Sequence, residues 1–276
     1  MFRNARVLIA IASLVAALAV APTGAAAWAP ADQATVHPGV QTFTAGGQCT
    51  ANFIYTSGGD TYIGQAAHCA STGAATDTDG CLAGSLPLGT QVEITGASRP
   101  GTLAYSSWLS MQSSGETNAD ACAYNDFALV RIDPADVAKV NPSVPGFGGP
   151  VGVGGASATG DDVYSYGNSS LRFGITQLSP KRGIVVSTAG NGWSRTVYTV
   201  TPGIPGDSGS GFLNGTGQAI GTLSTVALAP LPASNGVGDL SRELAYARSH
   251  GFADLQLANG TEPFTADVVG AILGAG

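Results

Sequence analysis

From about residue 41 onward, apolar runs of four or five residues alternate with turn clusters, and that rhythm rules out a mainly helical architecture. Ala51-Asn52-Phe53-Ile54-Tyr55 is strand-like and stops at Ser57-Gly58-Gly59-Asp60, a hairpin turn; Thr61-Tyr62-Ile63-Gly64 resumes the strand. Gln91-Val92-Glu93-Ile94-Thr95 alternates with period two, and Ala128-Leu129-Val130-Arg131-Ile132 reads as a buried strand. Residues 133–161 hold Pro134, Pro142, Pro145 and Pro150 among glycines and read as a linker. Further strands are expected at 162–166, 183–187, 195–201 and 218–224. The one convincing helix is Leu240 to His250, followed by Gly251. With 40 glycines and 11% charged residues, the composition fits an all-β extracellular chain with many turns. Two β-rich halves of about 100 residues and a late helix are therefore expected.

The first 27 residues are set apart. Arg3 and Arg6 precede the apolar run Val7–Ala21, and Ala25-Ala26-Ala27 offers small residues before Trp28. This is the pattern of a cleaved secretory signal, and the run is short for a membrane span, which needs about 20 residues. Cleavage would leave about 249 residues starting at Trp28. Residues 28–40 read as a loose arm, and between Trp28 and Cys49 there is no room for a large pro-segment. Without Arg3 and Arg6, 9 of the 11 basic residues face 18 acidic ones. No basic stripe remains, so a nucleic-acid partner is not expected.

Cys49, Cys69, Cys81 and Cys122 form an even set, and an exported chain uses such a set as two disulfides. Three pairings are open. Cys49–Cys69 with Cys81–Cys122 is preferred because each closes a local loop. No pair has C-x-x-C spacing, which disfavours zinc, and no metal or cofactor is expected. Asp77-Thr78-Asp79-Gly80 reads as a solvated turn rather than a calcium loop.

A hydroxyl is a weak nucleophile until a base lies within hydrogen-bond reach and a third group orients that base. Three histidines are present, and His68 alone sits between an expected strand and a cysteine, in Gln65-Ala66-Ala67-His68-Cys69. Ser208 lies in Gly206-Asp207-Ser208-Gly209-Ser210-Gly211. Gly206 and Gly209 lack Cβ, so the backbone there can turn sharply, and the N–H groups of Gly206 and Ser208 can converge as an oxyanion hole. An α/β-hydrolase elbow needs glycine two residues after the serine, where this chain has Ser210.

Ala66-Ala67-His68-Cys69, Asn125-Asp126-Phe127-Ala128-Leu129-Val130 and Gly206–Gly211, in that order, resemble the three motifs of the chymotrypsin-like (trypsin-superfamily) serine proteases of secreted bacterial type. The resemblance implies two six-stranded antiparallel β-barrels with a C-terminal α-helix. It divides the chain into a signal peptide (1–27), an N-terminal arm with the first barrel (28–140), and the second barrel with helix and tail (141–276). It makes Ser208 the nucleophile, His68 the general base and Asp126 its orienting carboxylate. It makes Cys49–Cys69 the disulfide beside the histidine loop, and it places Ser224 and Thr225 on the strand beside the substrate backbone.

The family's animal members bury a new N-terminal ammonium against the aspartate before the serine. This sequence has no Ile-Val-Gly-Gly-like start, so Asp207 must take another donor. Pro202, beside Gly203, stands where trypsin-type members carry the aspartate that binds Lys or Arg. No carboxylate lies in 201–206, which favours an apolar or small side chain. The expected partner is a protein or peptide substrate, met by an extracellular monomer with no membrane attachment after signal cleavage. The alternatives are a catalytically silent binding protein of the same fold, or an esterase using the same triad.

Overall fold

The computed structural model describes residues 28–227 and 231–274. The expected signal segment, 1–27, lies outside the described residues.

The first half forms one antiparallel sheet. Its strands are β1 (Gln41–Thr44), β2 (Gly47–Thr50), β3 (Ile54–Ser57), β4 (Asp60–Gln65), β5 (Gln91–Ile94), β6 (Gly101–Ser106) and β7 (Ala128–Arg131). A short late strand, β14 (Gln256–Leu257), adds to its edge, giving the order β14-β3-β4-β7-β6-β5-β1-β2. β2 stands at one end of that order and β3 next to the other, yet only residues 51–53 separate them. Ala51 N donates to Val40 O on one side and Asn52 N to Gly64 O on the other, both within 2.9 Å. β2 and β3 are thus joined by one bent segment, and the sheet rolls up around it. Val92, Leu103, Val130 and Ile63 fill the inside, each fully buried, as the inward alternation of strand side chains requires.

The second half is a closed barrel in the order β10-β13-β12-β11-β8-β9. Its strands are β8 (Asp162–Tyr166), β9 (Pro180–Ala189), β10 (Ser194–Val200), β11 (Gly211–Asn214), β12 (Ala219–Val226) and β13 (Asn235–Asp239). Val163, Val185, Val197, Phe212, Ile220, Leu223 and Val237 form its core. Aromatic side chains join the halves: Phe53, Tyr55, Tyr105 and Phe127 from the first share one cluster with Tyr164, Leu213 and Leu240 from the second. The fold is all-β with a C-terminal helix, α3 (Leu240–Ser249), capped by Asp239.

Three features depart from the sequence reading. Two further helices, α1 (Ser107–Ser114) and α2 (Ala119–Tyr124), lie between β6 and β7. α1 is short and has no apolar stripe at helical period, so its signal is a cap rather than a pattern: Ser106 accepts from Leu109 N. The arm at 28–40 is fastened, because Ala29 N donates to Val140 O and Val36 bridges to the same residue. The Pro-rich stretch after β7 is no loose linker either; Val140, Val144 and Phe147 are buried in it. Its prolines mark turns of a packed segment. The tail continues this packing. Phe264 meets Tyr164 edge-on, and a last short helix, α4 (Val268–Leu273), buries Ala271. Among the described residues no helix is long and apolar enough to cross a membrane.

Candidate active site

β4 ends at Gln65, and Ala66-Ala67 leads into a single turn of 3-10 helix over Ala67–Ala70. Both alanines are fully buried, which leaves the turn no room to shift. Cys69 is bonded to Cys49 at the foot of β2, and Cys81 to Cys122 in α2, the preferred pairing. The disulfide therefore ties the residue after His68 to the start of the bent segment.

Asp126 sits between α2 and β7 and is almost completely buried. It accepts the His68 backbone N–H on Oδ1 at 2.9 Å and meets the His68 ring at Nδ1 on Oδ2 at 2.6 Å. An ionised carboxylate only accepts, so Nδ1 carries the proton and Nε2 keeps its lone pair for the cavity. Oδ2 also accepts the Ser224 hydroxyl at 2.5 Å. A register shift explains that contact. Leu223 pairs with Val237 and Thr225 with Gly236, so Ser224 is the extra residue of a bulge, and its side chain is re-aimed toward Asp126. Burial lowers the affinity of the His68 ring for its proton, but the Asp126 charge and hydrogen bond outweigh it and raise its pKa above 6.5. Burial would likewise push Asp126 up; the His68 charge and the donated hydrogen bonds hold it below the ordinary carboxylate value instead.

Ser208 is half-buried in the loop between β10 and β11. Gly206 has φ +96° and Gly209 φ +89°, values at which a side chain is strained. Among the described residues neither Gly206 N nor Ser208 N donates to a protein acceptor, while Ser208 O is taken by Thr50 N at 2.8 Å. Gly206 O accepts both Gln48 Nε2 and Thr50 Oγ1 at 2.8 Å. Those bonds fix the Gly206–Asp207 peptide, whose own N–H donates to Ile204 O at 2.9 Å.

Ser208, His68 and Asp126 line one cavity of about 740 Å³, together with Gly203, Gly206, Ser224 and Thr225. In this arrangement no hydrogen bond joins Ser208 Oγ to the His68 ring among the described residues. Pro202 stands behind the lining. Its carbonyl accepts Arg172 Nη2 at 3.2 Å and Lys181 Nζ at 3.5 Å.

Those two cations are the partners of Asp207 that the sequence did not identify. Asp207 is fully buried. Its Oδ2 pairs with Arg172 and, at 3.1 Å, with Lys181, while Ser169 N donates to Oδ1 at 3.0 Å. Burial lowers the Lys181 pKa to about 8, against the pull of Asp207. Nothing in the spacing of residues 172, 181 and 207 signals this cluster, because the pairing depends on how β8, β9 and the loop before Ser208 fold together. Among the described residues two groups of side chains have metal-like spacing, and both use cysteines already committed to disulfides. Asp77 and Asp79 cap their own turn, on Ala74 N and Cys81 N.

No family model matches the sequence, and neither does any curated protein. Solved structures do resemble the fold. Protease A of Thermobifida fusca superposes with a TM-score of 0.52 over 82% of this chain and 99% of its own, at 21% identity. A chymotrypsin of Cellulomonas bogoriensis follows with a TM-score of 0.49 over 81% of this chain and 98% of its own, at 19% identity.

Proposed function

We propose that this chain, which has the chymotrypsin-like double-barrel protease fold, is a secreted serine endopeptidase. It hydrolyses peptide bonds through Ser208, His68 and Asp126. The observation that carries the reading is the convergence of these three side chains on one cavity, with two uncommitted amides beside Ser208. Ser208 Oγ attacks the scissile carbonyl. His68 Nε2 takes its proton and later passes it to the leaving amine. Asp126, held by the His68 amide and the Ser224 hydroxyl, fixes the ring tautomer and stabilises the imidazolium. The amides of Gly206 and Ser208 receive the oxyanion, each worth about 3 kcal/mol in the transition state. Water then releases the acyl group by the same steps in reverse. The Asp207–Arg172–Lys181 cluster supports an oxyanion loop that forms without a new N-terminus. An apolar or small side chain is the preferred residue before the scissile bond. Export rests on the Val7–Ala21 run and the two disulfides, with 1–27 removed and the two halves divided near residue 140.

Labelling by a fluorophosphonate tests the reading. The folded protein is expected to be labelled at Ser208, and Ser208→Ala to lose the label. A correctly folded wild type that stays unlabelled sinks it.

A further inference from the structure

The inward stripe of α3 is Leu240, Glu243, Leu244 and Ala247, spaced i, i+3, i+4 and i+7. Three of these are apolar, as a helix packed on a sheet requires. The fourth is a fully buried carboxylic acid that takes no direct part in the chemistry above. A buried acid without a counter-charge is destabilising, so its place in the stripe needs a local reason.

That reason lies in the segment that carries Asp126. Ser107 holds both neighbours of Asp126: its Oγ donates to Asn125 O at 2.8 Å and accepts from Phe127 N at 3.0 Å. Asn125 N donates to Ala121 O at 2.9 Å. The Asp126 N–H has no backbone acceptor among the described residues and faces the Glu243 carboxyl. The same carboxyl accepts the Thr222 hydroxyl at 2.9 Å. Thr222 lies two residues before Ser224, whose hydroxyl supports the Asp126 side chain. Gly238, opposite Thr222 on β13, leaves room for the acid, since a Cβ there would strike Glu243 Oε1. One acid therefore links the main chain of Asp126 to the strand that supports its side chain, across the junction of the two halves.

The titratable groups around Glu243 are Asp126, Asp239 at the helix cap, and the phenols of Tyr55 and Tyr105. His68 is committed to Asp126 and Arg195 to Asp239, and burial raises both phenols, which keeps them neutral. Burial pushes the Glu243 pKa up to about 8, opposed by the Thr222 hydrogen bond and helped by the charges of Asp126 and Asp239. The acid is therefore mostly uncharged at neutral pH. Loss of its proton sets a second buried anion against Asp126.

We propose that Glu243 is a positioning residue for the triad, whose uncharged carboxyl holds the Asp126 main chain in line with His68 and whose ionisation disengages it. The proposal rests on the serine endopeptidase reading and deepens it. Glu243 does not line the cavity, so it acts only through Asp126.

The test is steady-state cleavage of a peptide substrate by the full mature chain from about pH 6 to 10, alongside fluorophosphonate labelling. At neutral pH, Glu243→Leu fits the apolar stripe but removes the acceptor. It is expected to lower kcat about tenfold or more, with KM changed less than about twofold. Glu243→Gln keeps an uncharged acceptor and is expected to recover most of kcat. Wild type is expected to lose activity above about pH 8, while Glu243→Gln stays level there. An unchanged kcat in folded Glu243→Leu overturns the proposal. So does an alkaline limb that persists in Glu243→Gln, which would belong to Lys181 beside Asp207 instead. Should Glu243→Leu fail to fold, the alkaline limb of Glu243→Gln decides alone. Either overturning result in a chain whose wild type takes the label brings down the Glu243 proposal only. A folded wild type that takes no label brings down the endopeptidase reading, and the role of Glu243 with it.

Discussion

Asp126 accepts three hydrogen bonds, from the His68 amide, the His68 ring and the Ser224 hydroxyl, and this concentration of donors controls how the pair titrates. Because the His68 pKa is raised, the ring stays protonated to a higher pH than a free imidazole. A general base must be neutral, so the acid limb of kcat/KM is expected above pH 6.5, measured over pH 5–9. The stability contributed by the same pair runs the other way. It is fully present below the unfolded value and is lost as pH rises through the raised folded value. Asp126→Asn removes the charge, so it should move the acid limb down and cut kcat about 10⁴-fold, by analogy with the same change in other triads. Ser224→Ala removes one donor and should move the limb in the opposite sense, since a less stabilised Asp126 carboxylate draws the His68 proton more strongly.

α3 carries a group the chemistry does not use. Glu243 is fully buried, its Oε2 accepts the Thr222 hydroxyl at 2.9 Å, and its Oε1 has no hydrogen-bond partner among the described residues. The helix cap beside it, Asp239, takes Arg195 as its ion-pair partner. Burial pushes the Glu243 pKa up to about 8, helped by the charges of Asp126 and Asp239. A carboxyl whose folded value lies above its unfolded value stabilises the fold below about pH 4.5, and that contribution is lost as pH rises toward 8. The loss has a slope of about 1.4 kcal/mol per pH unit. Glu243→Gln should flatten this segment of the stability profile, read from urea midpoints between pH 5 and 8. In the loop after β8, Arg172 balances Asp207 from a buried position. Arg172→Ala leaves that carboxylate with Lys181 alone and should cost about 3 kcal/mol. It should also lower kcat, because the oxyanion loop hangs on Asp207.

At the scale of the whole molecule, a single aromatic cluster joins the two halves, and the cavity opens where they meet. His68 and Asp126 come from the first half and Ser208 and Ser224 from the second. The separation of His68 from Ser208 is therefore set by the packing of that junction. The Cys81–Cys122 bond spans 41 residues and ties α2, next to Asp126, to the loop after the histidine turn. Replacing both cysteines by alanine should destabilise the protein by about 4 kcal/mol in the chain-entropy picture. Thermal scans of wild type and of this double variant, both without reductant, give the measurement.

The strand and turn rhythm, the late helix and the order of the histidine, aspartate and serine motifs are local properties, and the sequence carries them in full: period-two alternation, a cap, a glycine-flanked serine. The cysteine pairing was legible for the same reason, since each bridge closes a short loop. What the sequence left open depended on residues far apart in the chain. α1 and α2 have little apolar periodicity and are held by a cap and by tertiary packing. The fastening of the arm onto Val140 pairs segments about 100 residues apart. Arg172, Lys181 and Asp207 meet only when three strands curl into one barrel, and buried ion pairs have no sequence period. Asn235 reads in sequence as one more turn residue beside Gly236. It becomes a brace only because closing the barrel brings Gly203 and Thr225 to either side of it. Local chemistry therefore determined the elements and the order of the histidine, aspartate and serine motifs, whereas the partners of Asp207 and the bracing of Gly203 against Thr225 were decided by long-range backbone closure.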